Sequence, residues 1–447
     1  MRYRIASFSV ASYLLLCIGL GGSSQSPWPP LVLQLLGIAL IAWAAISRTS
    51  DAERDGARGL YILIICAIAA VLIQLIPLPA DLWTRLPGRR PIAEAIESLR
   101  FPMTAAPLSE TPYRSVLTLF AMIPAVATFA ATQRLHVGQR AIAMAILAGM
   151  VGSILLGAVQ VAGGPDSAAY FYRIHSPGAV GFFANQNHMA TLLLLGIPMA
   201  AALTSSTGWG RGKHGPRYLI AGALFVLIII GIVLTGSRAA ISLAIPVSLA
   251  SVTLVPHLRR WRTPALVLSS VGFVAAVIAV AAMPIAGTVN VQSSSSGSRL
   301  QIWSNTAKMI EDNFPAGTGL GSFEQVYHRY EPVDNIGPVY VNHAHNEYLE
   351  IVAELGLPGL ILLLVFLIWW MAAGWKIWRF PGSSVFARAA TIGSAVILIH
   401  SLVDFPIRTA AVSAIFGVCL GLMVRHPGST RGGDSVMRRP VRHVQLT

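Results

Sequence analysis

Apolar runs of roughly 16–23 residues recur along the chain, a length that suits the hydrocarbon core of a bilayer. They fall near 5–22, 31–47, 59–76, 115–132, 141–162 and 189–204, then near 218–235, 239–256, 265–287, 356–373, 389–403 and 409–424. Only helices or closed barrels satisfy backbone polar groups in lipid. The runs therefore read as about twelve transmembrane helices of an all-α polytopic membrane protein, the last two of them short. Charged residues make up 11% of the chain, against about 25% in soluble proteins. Mean hydropathy is +0.66.

The formal charge of +14 would suit a nucleic-acid binder, but the basic residues are scattered between apolar runs. They read as topology signals rather than as a phosphate-tracking patch, so no nucleic-acid partner is expected. Most of the 32 lysines and arginines fall in segments 1–4, 48–58, 133–140, 205–217, 256–264, 374–388 and 425–447. These segments alternate with the others along the chain, which predicts cytoplasmic termini on both ends. Segments 78–111 and 288–355 then lie outside, the second being a large, partly helical loop between helices 9 and 10. The start "MRYRIASFSVASYLLLCIGLGG" has the basic start and apolar core of a signal peptide. No A-x-A-like site follows it, so it reads as a retained first helix. Cys17, Cys66 and Cys419 sit inside apolar runs without a CxxC pair, which supports neither disulfides nor a zinc–thiolate site. The chain divides into one transmembrane domain, 1–424, and a basic Gly/Arg-rich tail, 425–447, expected to be disordered.

Candidate chemistry gathers on the outer side. The loop 288–355 opens with "SSSSGSRLQIW", in which Ser298 could cap a helix carrying Arg299, Ile302, Trp303, Thr306 and Met309. The glycines of "FPAGTGLGSF" resemble a phosphate cradle, yet no strand precedes them and no GK[ST] follows, and the alternative is a tight turn packed beneath a helix. In "VNHAHNEYLEIVAELGLPGL", a helix over 345–356 would put His345, Leu349, Val352 and Gly356 on one inward stripe. Glu347, Glu350 and Glu354 would face the other way. An inward imidazole at the membrane surface suits proton transfer; the alternative is an interfacial histidine that caps the helix. His343 could join it at a metal, but no third ligand stands at a recognisable spacing.

Arg238, in "VLTGSRAAISLA", falls in a short outer turn between two spans. Such a residue pairs with an anion or snorkels to the headgroups. Two guanidiniums, Arg238 and Arg299, would fork onto the oxygens of a pyrophosphate. Two more outer patches carry Asn185, Asn187 and His188 in "GFFANQNHMATLLLLG", and Asp404 and Arg408 in "HSLVDFPIRTAA". Helix capping and substrate binding both account for these.

Taken together, "GFFANQNHMA", "TGSRAA", "SRLQIW", "FPAGTGLGSF" and "HAHNEYLEIVAELGLPGL" resemble the O-antigen ligase family of bacterial membrane glycosyltransferases, which includes some polysaccharide polymerases. The likeness spans roughly 180–410 and ends at "HSLVDFP". The family's histidine, ten residues and a glycine are met by His345 and Gly356. The resemblance implies transfer of a glycan from a polyprenyl-pyrophosphate carrier to an acceptor hydroxyl, typically on lipid A–core. It would take place on the periplasmic side of the inner membrane, among membrane lipids and without metal, nucleotide or other cofactor. It also implies that Arg238 and Arg299 neutralise pyrophosphate while His345 acts as base. Asn185, Asn187, His188, His343, Asn346, Asp404 and Arg408 would then line the substrate. A polymerase of lipid-linked repeats is the alternative with the same chemistry. A transporter would want charged groups at mid-membrane, and here they gather at one surface.

The alternation of basic segments yields a direct test of orientation. In a background free of native cysteines, Ser295→Cys should react with an impermeant thiol reagent in cells made permeable only at the outer membrane, and Ser429→Cys should not. The reverse pattern overturns the orientation.

Overall fold

The computed structural model describes residues 2–23, 27–47, 51–172, 178–206, 214–286, 299–333 and 340–425. The tail beyond Arg425 and the Ser298 cap lie outside the described residues. The helices are α1 (Arg2–Leu20), α2 (Trp28–Ile46), α3 (Asp51–Gln74), α4 (Ala80–Trp83), α5 (Arg90–Ser98), α6 (Pro112–Ala121), α7 (Ile123–Arg134) and α8 (Gln139–Gly163). They continue with α9 (Gln186–Ser205), α10 (His214–Thr235), α11 (Arg238–Val252), α12 (Arg262–Ala286), α13 (Arg299–Asn313), α14 (Phe323–Tyr327), α15 (Glu347–Arg379), α16 (Val385–His400) and α17 (Ala410–Val424). Two short strands, β1 (Pro77–Leu78) and β2 (Ala106–Pro107), pair antiparallel.

Eight helical stretches are long and apolar enough to cross a membrane: Tyr3–Leu20, Trp28–Ile46, Asp55–Gln74, Pro112–Arg134, Gln139–Gly163, Gln186–Ser205, Pro216–Thr235 and Glu347–Arg379. The remaining four expected spans fall on shorter apolar helices, Arg238–Val252, Arg262–Ala275, Val385–His400 and Ala410–Val424. The segment between α12 and α15 is partly helical, carrying α13 and α14.

Two spans are not continuous. The run 115–132 breaks at Met122, between α6 and α7, with Pro124 in the first turn of α7; proline has no N–H for the helical ladder. Within α15, Gly356 takes φ 61° and ψ −141°, and Pro358 follows. The helix is therefore broken two turns after its start.

Among the eight long stretches, that of α9 is the most enclosed, 83% buried within the protein. It packs on α8, α10, α11 and α16. Lipid tails are as apolar as leucine, so helices in a membrane associate through close packing and hydrogen bonds. The α7–α17 pair illustrates this. Thr128 Oγ1 donates to the Ala414 carbonyl at 2.8 Å. Gly417 and Gly421, four residues apart, face Ala125, Thr128 and Thr132 so closely that a Cβ on Gly417 would lie 2.2 Å from the Ala125 carbonyl oxygen.

Because that oxygen is backbone, Gly417→Ala must separate the helices, at about 1–3 kcal/mol. The variant should melt lower than wild type in detergent. Gly222→Ala, whose Cβ would meet nothing within 4 Å, should not. Equal melting of Gly417→Ala and wild type would mean that α7 and α17 do not pack this way.

Candidate active site

The first turns of α9, α11, α13 and α15 meet the α16–α17 connection at one end of the bundle. Ser237, a residue with extended backbone, caps α11 by accepting from Ala240 N at 3.3 Å. Gly236, at φ 69°, makes the tight turn out of α10. Arg238 thus opens α11 as an exposed side chain. Its neighbour Ala239 packs with Val403, Leu402 and Trp303. Trp303, one turn into α13, donates Nε1–H to the Ala344 carbonyl at 3.0 Å. Arg299, at the head of α13, lies close enough to His400 for its charge to act there.

Asp404 forms the centre. It is fully buried, and its Oδ1 accepts from Phe405 N at 2.9 Å. Asn187 Nδ2 donates to Oδ2. His345 Nδ1 stands 3.4 Å and His188 Nε2 3.7 Å from Oδ1. Burial pushes the Asp404 carboxyl up, but the imidazoles of His188 and His345 beside it outweigh this and hold it well below the usual carboxylate range. The Phe405 ring is a shared floor for three imidazoles, with centroids 4.1 Å from His343, 5.0 Å from His188 and 5.1 Å from His345. His345 keeps 26% of its side chain exposed, whereas His188 keeps 3%.

The helix face expected for His345 is corrected by this geometry. α15 begins at Glu347, with Asn346 as its cap accepting from Tyr348 N and Leu349 N, each at 3.1 Å. His345 precedes the helix in a left-handed conformation, φ 50°. The face that points inward carries the glutamates instead: Glu347, Glu350 and Glu354 are 4%, 0% and 0% exposed. They converge on Arg408, in a 3-10 turn (Pro406–Arg408), at 3.5, 3.1 and 3.0 Å. Glu347 also accepts from Ile407 N, Glu350 from Ala344 N and Glu354 from Phe323 N. Burial opposes the Arg408 charge, but the three carboxylates prevail and hold its guanidinium above the ordinary arginine range. His343 Nδ1 sits 2.7 Å from Glu350 Oε1, so it too has a buried carboxylate partner.

The glycine loop proves to be a packing turn. Thr318 N donates to Ala353 O at 3.2 Å, Gly319 N to Glu354 O at 2.8 Å and Leu320 N to Gln74 Oε1 at 3.1 Å. Those amides are spent within the protein and do not cradle a phosphate.

Asn187, His188, His345 and Asp404 therefore meet directly, and His343 joins them through Phe405. Asn185 is the cap of α9, its Oδ1 accepting from Asn187 N at 2.8 Å. Arg238 and Arg299 pair with no carboxylate among the described residues, whereas Arg408 holds three. Sequence reasoning missed the inward glutamates. Their i, i+3, i+7 spacing at the mouth of an apolar run was the available signal, since buried carboxylates require a counter-charge. Among the described residues, no group of three His, Cys, Asp or Glu could hold a metal ion.

Arg408→Gln would leave three buried carboxylates without their cation and should destabilise the protein by about 3–5 kcal/mol. Glu347→Gln, which leaves Glu350 and Glu354 on the guanidinium, should cost less. Thermal unfolding in detergent reads the order, and a milder effect for Arg408→Gln than for Glu347→Gln would contradict the hub.

No curated protein matches the chain. Residues 223–364 match the family model described as O-antigen ligase. The match takes in Arg238, Arg299, His343, His345 and the three glutamates; Asn185, Asn187, His188, Asp404 and Arg408 lie outside it. Over residues 223–364 this multi-pass membrane protein is thus similar to the O-antigen ligase family, the family its motifs resemble.

Proposed function

We propose that the chain is an inverting, metal-independent glycosyltransferase. It moves a glycan from a polyprenyl-pyrophosphate carrier to an acceptor hydroxyl of lipid A–core, on the periplasmic side of a bacterial inner membrane. The observation that carries this reading is the 3.4 Å contact between His345 Nδ1 and the buried, ionised Asp404. A carboxylate at Nδ1 favours the tautomer with its proton there. It leaves Nε2 as the basic nitrogen and stabilises the imidazolium that forms.

In the reaction, the acceptor hydroxyl gives its proton to His345 as its oxygen bonds to the anomeric carbon. The bond from that carbon to the pyrophosphate oxygen breaks on the opposite face, which inverts the centre. The leaving oxygen takes the electron pair. Arg238 and Arg299, which have no carboxylate partner among the described residues, are free to stabilise that charge. Arg408 serves the fold, with its charge committed to the three glutamates. Asn187 steadies Asp404 at Oδ2, the oxygen away from His345, and His188 stands beside Oδ1, the oxygen that His345 approaches.

The test uses a purified lipid-linked donor and acceptor. His345→Ala should lose transfer by about 10²–10⁴-fold while still binding donor, and His343→Ala should lose less. Arg238→Lys and Arg299→Lys keep charge but lose the fork, so each should transfer far more slowly in a protein that still inserts. Retention of most activity by His345→Ala removes it as base. In cells, deletion of the gene should leave polymerised glycan on its carrier. An accumulation of single repeats would instead mark a polymerase.

A further inference from the structure

The segment between α3 and α6 forms an open groove of about 760 Å³ that the mechanism does not use. This volume lies within the roughly 300–1,000 Å³ of small-molecule sites. Asp81, Thr84, Glu97, Arg100, Phe101 and Met103 supply its chemistry.

The groove is built on a fixed base. Trp83, 3% exposed, donates Nε1–H to Thr104 O at 2.9 Å and closes the segment on itself. Ser109 N donates to Gln74 O, and Glu110 N to Thr318 O, each at 2.8 Å. Gln74 Nε2 in turn donates to the Glu354 carbonyl at 3.0 Å. The groove therefore stands at the same end of the bundle as His345 and Asp404.

Arg100 is the unusual residue. It follows the C-terminus of α5 at φ 56°, with Phe101 N reaching back to Ile96 O at 3.1 Å. That left-handed position after a helix ordinarily belongs to glycine, because a Cβ strains it. An arginine kept there holds a guanidinium over the groove at the expense of backbone comfort. Arg100, Asp81 and Glu97 make no ion pair and no side-chain hydrogen bond among the described residues. Three charged side chains thus line one groove without satisfying one another. Phe101 beside them is 64% exposed.

We infer that this groove is a saccharide subsite, which takes a pyranose of the donor's glycan chain beyond the sugar being transferred. The inference rests on the proposed transferase function. The two carboxylates accept from sugar hydroxyls, and Arg100 donates to sugar oxygens, as charge-assisted hydrogen bonds. Phe101 and Met103 offer an apolar wall to the C–H face of the ring. The same carboxylates repel a phospholipid phosphate, which favours a hydroxyl-rich occupant over a headgroup.

Arg100→Gly is the decisive variant, because it removes the guanidinium while suiting the backbone. The full-length protein in nanodiscs is compared using donors that carry one repeat and donors that carry many. Arg100→Gly should raise KM for the long donor about tenfold and leave kcat, and both constants for the single-repeat donor, unchanged. Its melting temperature should equal or exceed that of wild type. Phe101→Ala should act in the same direction. Separately, oligosaccharides released by mild acid from the host's lipid-linked glycan should bind the inactive His345→Ala protein and lose about tenfold in affinity with Arg100→Gly added. Unchanged KM and affinity in Arg100→Gly overturn the subsite. So does a loss of affinity for phosphatidylglycerol vesicles in place of oligosaccharide, which would return the groove to the bilayer. Arg100-dependent binding without any transfer by wild type would sink the transferase reading and spare the subsite.

Discussion

Arg408 and its three glutamates are the interaction on which the geometry of the active end depends. A carboxylate taken out of water must meet a cation and fill its remaining lone pairs. Here each glutamate does both, and each second bond reaches a different stretch of chain. Glu347 holds Ile407, Glu350 holds Ala344, and Glu354 holds Phe323. Asp404 lies four residues before the arginine, and His345 immediately follows Ala344. The 3.4 Å approach of His345 to Asp404 is therefore fixed by a charge cluster that, among the described residues, makes no ion pair or hydrogen bond with either of them.

The second constraint is close backbone packing. Gly356 ends the spacing that begins at His345, on the stripe that the sequence places inward. The structure gives it another duty. A Cβ at Gly356 would lie 2.1 Å from the Pro315 carbonyl oxygen, and one at Gly317 would lie 2.5 Å from the Glu354 carbonyl oxygen. The two glycines let the 314–323 turn lie directly on the break in α15, where the freed backbone groups find partners. Leu357 N donates to Pro315 O at 2.9 Å and Gly319 N to Glu354 O at 2.8 Å. Irregular backbone near a membrane is tolerated where protein satisfies it in this way.

The helices were legible because hydropathy is a property of composition over long windows. The expected runs near 5–22, 31–47 and 141–162 fall on α1, α2 and α8 within a few residues. The site's residue types were legible too, since polar groups beside an apolar run stand out. The phase of α15 was not. His345 lies before the helix and so cannot mark its inward face; the helical period puts the three glutamates on one side but does not say which side is buried. Asn346, a strong capping residue just before Glu347, was the local sign that the helix begins later. The pairing of Glu350 with Arg408 joins residues far apart in sequence, and no local pattern encodes it.

Charge accounting also separates three arginines that sequence alone treats alike. All lie at one end of the bundle, and each guanidinium could fork onto phosphate. Arg408 is within 3.0–3.5 Å of three glutamate side chains, so its charge is committed before any ligand arrives. A pyrophosphate brought to it would meet repulsion from groups that cannot retreat into solvent. Arg238 is exposed and Arg299 half-buried, and neither has a carboxylate to give up among the described residues. Binding an anion there removes no existing ion pair, whereas at Arg408 it would break the contacts that set His345 against Asp404. The same buried cluster that builds the site thus also decides which arginines remain available to it.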